Sequence, residues 1–289
     1  MTIPKSSQPI IILGMHRSGT TMVAEALRKL GLFLGSHRDR NCEAWFFVRA
    51  NSWVLRQARS HWTQPLPIFQ LLDNPKLFAL IRDQLKHFLH SPRYAQYLVP
   101  LGLWGYGHHP PQRIWGWKDP RNTLTLPLWL SIFPHARIVH IRRHGVDVAQ
   151  SLYSRHNKSL AKTQNKLNKK KLFNKLGFLP NNLGNNPRCS SLEGAFSLWE
   201  EYLEAASTNL ASNSLDVLDM EFESILQSPF KSLEKLSHFS GIKPSSTDLN
   251  RVAQDFEASR AFAFRTSPQL QEFGNQVDNR LRLYGYSAF

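Results

Sequence analysis

The sequence predicts an α/β fold: a doubly wound parallel sheet flanked by helices, with helical insertions. Two observations carry that prediction. Short apolar runs, "IIIL" at 10–13, "ARIVHIRR" at 136–143 and "LDVLDM" at 215–220, alternate with longer stretches whose apolar residues recur at helical spacing. The first run also passes through a glycine-containing loop directly into "TTMVAEALRKLG", where Gly31 stands as a C-cap. A sheet wound this way gathers ligands outside the carboxyl ends of its strands.

Each element follows from local chemistry. Residues 1–8 read as a flexible terminus and 10–13 as a short buried strand. Residues 43–58, "EAWFFVRANSWVLRQA", and 76–89, "KLFALIRDQLKHFL", have the period of helices, with "RSHWTQPLPIFQ" between them as loop. "RIWGWK" at 113–118 reads as a strand edge entering "DPRNTLTLPLWLSIF", a turn and then a helix. After the strand at 136–143, "GVDVAQSLYSR" is the next helix. Residues 156–190 are polar and rich in Asn and Lys, which predicts a mobile basic insertion. "SLEGAFSLWEEYLEAASTNL" is an amphipathic helix, and "SPFKSLEKLSHFSG" a helix opened by Pro229 and closed by Gly241.

A chain of 289 residues with 42% hydrophobic content suits one domain spanning 1–289. Two cysteines, Cys42 and Cys189, make no disulfide framework and fit a reducing compartment. No apolar run near the start is long enough to span a bilayer, nor does a signal peptide precede it. These features predict a cytoplasmic protein, with peripheral attachment at a membrane as a second option. The formal net charge is +15, and eight Lys/Arg without an acid fall between Arg155 and Lys175. Charge so concentrated argues against a general nucleic-acid binder. That stretch is a solvated loop, a lid over a nucleotide, or an attractor of an anionic glycan or membrane surface.

"GMHRSGTT" at 14–21 is spelled like a phosphate-binding loop, G-x-x-x-x-G-K-[ST], in the strand–loop–helix context the motif needs. The fold is therefore of P-loop type. Backbone N–H groups of Gly14, Ser18 and Gly19 and the start of the following helix suit an anion. Thr20 and Thr21 add hydroxyls, and Arg17 adds a guanidinium able to pair with phosphate or sulfate. Thr20, however, stands where the lysine for a γ-phosphate belongs, and Asp219 sits in no persuasive Walker-B context, so an ATPase or GTPase is disfavoured. A nucleotide with a short anionic 5′ end and no need of a metal fits better. 3′-Phosphoadenosine 5′-phosphosulfate (PAPS) is such a nucleotide, and it requires a second site for its 3′-phosphate. "RRHGVDVAQS" supplies candidates in Arg143, at a strand end, and Ser151, eight residues on.

At these residues the chain resembles the PAPS-dependent sulfotransferases, in their bacterial and tyrosylprotein-type branches. "GMHRSGTT" is similar to their 5′-phosphosulfate loop and "RRHGVDVAQS" to their 3′-phosphate motif. "WKDPRN" resembles their K-[DST]-P segment, and "NCEAWFFVRANSWVLRQ", "LWEEY" and "DVLDMEFESILQSP" resemble further landmarks. The likeness runs over about residues 10–240. It departs where Arg17 replaces the loop lysine of the classical cytosolic branch. It departs again late in the chain, where only Arg260 and Arg265 stand in for a basic segment over the 3′-phosphate.

The resemblance implies in-line transfer of a sulfuryl group to a hydroxyl of a carbohydrate or small metabolite, with no metal. Arg17 and Lys118 would stabilise the leaving phosphate, and Glu43 would take the acceptor's proton. His16, which is also a candidate to contact the cofactor, and His37 are the other candidate bases. Asp119 would tether Arg121 or cap the next helix. Trp53, Trp62 and Phe69 are candidates to line an acceptor cleft. Two rivals stay open: a P-loop kinase using ATP, and a non-enzymatic binder of nucleic acid or anionic polymer.

Overall fold

Ile10–Leu13 form β1, buried at all four positions, as a central strand covered on both faces must be. β1 lies between β2 (Gly116–Lys118) and β3 (Arg137–Arg142), and β4 (Asp216–Glu221) closes the far edge. All three pairings are parallel, with Ile12 opposite both Lys118 and Val139, and Arg142 opposite Glu221. This is the predicted α/β architecture. The structure is a computed structural model and describes residues 8–98, 113–169, 187–212 and 214–288.

The order β2-β1-β3-β4 fixes the place of the site. The chain leaves β1 toward β2 but leaves β3 toward β4. The carboxyl ends of β1 and β3 therefore flank the crevice where the winding reverses, the position at which open α/β sheets bind ligands.

The helices, in chain order, are α1 (Thr20–Lys29), α2 (Trp45–Gln57), α3 (Pro67–Leu72), α4 (Pro75–Leu89), α5 (Ala95–Leu98), α6 (Asn122–Ile132), α7 (Gly145–Lys169), α8 (Leu192–Leu210), α9 (Phe222–Gln227), α10 (Pro229–Ser240), α11 (Ser246–Ala253), α12 (Pro268–Gln276) and α13 (Asp278–Arg282). Two depart from the sequence expectation. Residues 67–70, the end of the stretch expected as loop, belong to α3, because a proline in the first turn fits a helix start. The basic stretch expected to be mobile from 156 instead continues α7 without a break to Lys169. No Pro or Gly interrupts 156–169, and Lys, Gln and Ala are good helix formers. The remainder of that prediction, 170–186, lies outside the described residues, as do residues 1–7.

The chain comprises two compact units, Met1–Arg143 with Glu201–Ala261, and His144–Glu200 with Phe262–Phe289. In the first, Val23, Ala24 and Leu27 of α1 and Leu233 and Leu236 of α10 pack with Ile10, Ile12, Val139 and Ile141 of the sheet. A second, aromatic layer stacks Phe47 of α2 on Trp117 of β2, with ring centroids 3.9 Å apart, and sets Trp129 of α6 edge-on at 5.1 Å. In the second unit the Asp147 carboxylate accepts the backbone N–H groups of Ala263 and Phe264 at 3.2 and 2.8 Å, and the His144 ring stacks on Phe264 at 4.3 Å. Arg280 pairs there with Glu193 and Glu200 of α8 and lies over the Phe196 ring. Among the described residues no helix is long and apolar enough to cross a membrane.

Candidate active site

The loop from Gly14 to Gly19 leaves β1 and enters α1 through backbone that side chains tolerate poorly. Gly14 has φ 140° and Gly19 φ 95°. A Cβ on Gly14 would lie 2.3 Å from the Ile141 carbonyl, and one on Gly19 2.2 Å from the Phe222 ring. Arg17 between them also has positive φ, at 75°, a conformation that costs a non-glycine residue about 1–3 kcal/mol and clusters at functional sites. Ser18 is buried, and its hydroxyl donates to the Met15 carbonyl at 2.7 Å, so it braces the loop from within. Thr20 is buried as well. Gly14 N–H donates to Thr123 Oγ1 at 3.2 Å, which ties the loop to α6. At the start of α1 no side chain caps the helix and no acid lies in the first turn. That end of the helix therefore keeps its positive dipole for an anion.

Arg143, one residue beyond β3, reaches the same loop. Its Nη1 donates to the Arg17 carbonyl at 3.3 Å, its Nη2 to the Arg260 carbonyl at 3.1 Å, and its guanidinium lies 4.5 Å over the Phe222 ring. The structure thus joins Arg143 and Arg260 to the 14–21 loop within one unit. Ser151 stands two turns into α7 in the other unit and is half-buried. Arg265, also in that unit, lies 4.3 Å over the Phe262 ring.

The proposed cation and base meet each other directly. Lys118 Nζ donates to Glu43 Oε1 at 2.8 Å, to Thr21 Oγ1 at 3.1 Å and to the Asn41 carbonyl at 3.3 Å. Lys118 is 2% exposed, so its charge is held by these partners and not by solvent. Glu43 precedes α2 instead of lying in its first turn, and the Asp39 carboxylate holds its N–H at 2.9 Å. Its second oxygen lies 3.5 Å from Arg121 Nη2. Burial pushes the Glu43 carboxyl above the usual range, while Lys118 and Arg121 pull it back.

Asp119 both tethers Arg121 and supports the turn, accepting its Nε at 2.8 Å and its backbone N–H at 2.9 Å. Behind it stands a residue the sequence reading missed. Asn51 of α2, fully buried, donates to Asp119 Oδ2 at 2.9 Å and to Asn122 Oδ1 at 2.8 Å. Its own oxygen accepts Thr125 Oγ1 and Trp129 Nε1, each at 2.8 Å. All four hydrogen-bonding capacities of the amide are met, and they lock α2, the 119–122 turn and α6 behind the ion pairs.

The aromatic candidates separate. Trp62 faces His16, with ring centroids 4.5 Å apart, and Tyr202 donates to the Trp62 carbonyl at 2.9 Å, so His16 sits in an aromatic wall beside the loop. Trp53 lies on another cleft, and His37 is hydrogen-bonded to the Gln96 carbonyl at 2.6 Å. The Walker-B reading of Asp219 finds a different partner set, Arg142 at 2.9 Å and His140 at 3.1 Å. Among the described residues no group of three His, Cys, Asp or Glu is placed to hold a metal ion.

A glycine loop built to hold an anion at the winding reversal is common to several nucleotide-binding classes, so its ancestry needs sequence beyond the loop. The model of the sulfotransferase family matches residues 9–246, spanning the loop, the Lys118 turn and β4. The chain belongs to the sulfotransferase family. It is an enzyme of the PAPS-dependent class, which sets the kinase rival aside. The fold of this sulfotransferase is similar to that of the sulfotransferase domain from the curacin biosynthetic pathway, with TM-score 0.53 and 15% identity over 96% of this chain and 98% of that one. It is equally similar to the sulfotransferase domain of the Synechococcus PCC 7002 olefin synthase, with TM-score 0.53 and 15% identity over 96% and 94%. At such identities the likeness is one of fold. Among proteins of curated function, none matches this sequence closely enough to be counted a relative.

Proposed function

We propose that this sulfotransferase moves the sulfuryl group of PAPS onto a hydroxyl of a carbohydrate or small metabolite by in-line displacement. The carrying observation is the convergence of Arg143, after β3, on the carbonyl of Arg17 in the 14–21 loop, after β1. It gives one crevice both an anion cradle and a second cation, as a nucleotide charged at its 5′ and 3′ ends requires. The uncapped start of α1 and the glycines that admit no Cβ fit the phosphosulfate end. Ser151 is assigned to the 3′-phosphate from its sequence spacing alone.

PAPS supplies an activated sulfuryl group on a phosphate leaving group; the protein supplies position and charge. Sulfuryl transfer resembles phosphoryl transfer in needing both above all. Arg17, exposed at the crest of the loop, is assigned to the group in transit. Lys118, fixed to Thr21 at the head of α1, is assigned to the leaving phosphate. Glu43 is assigned as the base that accepts the acceptor's proton, with His16 as the second candidate. The Asp119–Arg121 pair and Asn51 hold Glu43 and Lys118 in place.

Sulfated product detected by mass spectrometry, with PAPS and a panel of neutral sugars and phenols, tests the assignment. Wild type should add one sulfuryl group to a hydroxyl, and Arg17→Ala should lower kcat about 10²-fold or more. Full activity in Arg17→Ala would remove that residue from the chemistry.

A further inference from the structure

Away from the loop and the Lys118–Glu43 cluster, one concavity combines a rigid apolar floor with unbalanced charge. It is a cleft of about 370 Å³ in the first unit, walled by Arg49, Trp53 and Arg56 of α2, Phe88 of α4, and Arg93. Positions 49, 53 and 56 are spaced i, i+4, i+7, so they share one side of α2. Asn51 and Ser52 point from other sides of the helix to Asp119 and Arg121. The cleft is therefore a separate surface from the ion-pair cluster, carried on the same helix.

The floor is fixed. Leu85 is 1% exposed, and the Phe88 ring stacks on buried Phe46 with centroids 4.3 Å apart and planes 6° from parallel. Arg49 is oriented by Gln96, whose Oε1 accepts its Nη1 at 3.3 Å. No acid lines the cleft. Among the described residues Arg49, Arg56 and Arg93 form no ion pair with any carboxylate, and the stretches outside them contain no Asp or Glu. Three guanidinium groups around one hollow repel one another, and an anion in the hollow relieves that repulsion. Arginine forks onto carboxylate, sulfate and phosphate alike, while Trp53 and Phe88 offer area to a flat apolar body.

We propose that this cleft binds an organic anion, an acidic group carried on an aromatic or apolar body, independently of the nucleotide loop. Either half of such a ligand alone would use only half of the site. A free inorganic anion meets exposed arginines that water already solvates, and a neutral aromatic leaves their charge unbalanced.

The test is calorimetry on the full chain at low salt, with 3′-phosphoadenosine 5′-phosphate (PAP) present to fill the nucleotide loop. The probes are 2-naphthyl sulfate, neutral 2-naphthol and inorganic sulfate. The expected result is binding of 2-naphthyl sulfate at least about tenfold tighter than either half-probe, weakening as salt rises. The double variant Arg56→Gln/Arg93→Gln, both positions exposed on the surface, should lose about tenfold of that affinity while keeping its affinity for PAP. Equal binding of 2-naphthyl sulfate and inorganic sulfate would overturn the proposal, as would binding unchanged in the double variant. Because an aryl sulfate could also enter the acceptor site, the comparison of wild type with the double variant decides. It does so even if PAP itself does not bind, so a failure of the PAPS assignment and a failure of this cleft give different results.

Discussion

Glu43 is held between two cations, Lys118 at 2.8 Å and Arg121 at 3.5 Å, and that position governs how it would act as a base. A base must be ionised before it can accept a proton. Burial, the largest influence on Glu43, moves its carboxyl above the ordinary carboxylate range, and the neighbouring cations offset part of that shift. The rate should therefore rise with pH through a midpoint above that range and then level off. Glu43→Gln should abolish that limb and lower kcat by about 10²- to 10⁴-fold, with PAP affinity nearly unchanged. A pH–rate profile that keeps the limb in Glu43→Gln would move the role to His16.

At the scale of elements, the 14–21 loop was legible because all of its information is contiguous: strand, glycines, hydroxyls and helix follow within one stretch. The Lys118–Glu43 contact spans 75 residues; each residue was a candidate from sequence, but their pairing was not. Asn51 was illegible. A single Asn in an amphipathic helix reads as part of the polar face, and its partners Asp119, Asn122, Thr125 and Trp129 are defined only once α2 packs on α6. Two other misreadings have local causes. The prolines at 65 and 67 read as loop although a helix accepts proline in its first turn. The polar composition after 156 masked a helix with no breaker in it. The Asn51 network carries its own prediction. Asn51→Leu would orphan several buried polar groups at about 1–3 kcal/mol each, so thermal melting should fall by several degrees, at about 2–4 °C per kcal/mol, and kcat should fall with it. Melting and kcat within error of wild type would show that the network neither supports the fold nor positions the ion pairs.

For the molecule as a whole, part of the positive charge has a defined place. Lys158, Lys162 and Lys166, each four residues from the next, are all exposed along α7, so part of the basic stretch is a helical stripe. A stripe of one sign draws polyanions with an affinity that salt screens. Lys158→Gln/Lys162→Gln/Lys166→Gln should elute from immobilised heparin at lower salt, while its rate on a neutral hydroxyl acceptor stays within about twofold of wild type. Unchanged elution would place the polyanion-binding charge elsewhere. A nucleotide site built by the reversal of winding at β1 and β3 draws on the whole sheet, since it needs both the 14–21 loop and Arg143. Calorimetric titration of PAP, ADP and ATP without magnesium, on wild type and Arg143→Ala, tests it most directly. PAP alone should bind tightly, and Arg143→Ala should weaken it about tenfold or more. Binding of ATP only when magnesium is added, indifferent to Arg143, would contradict such a site.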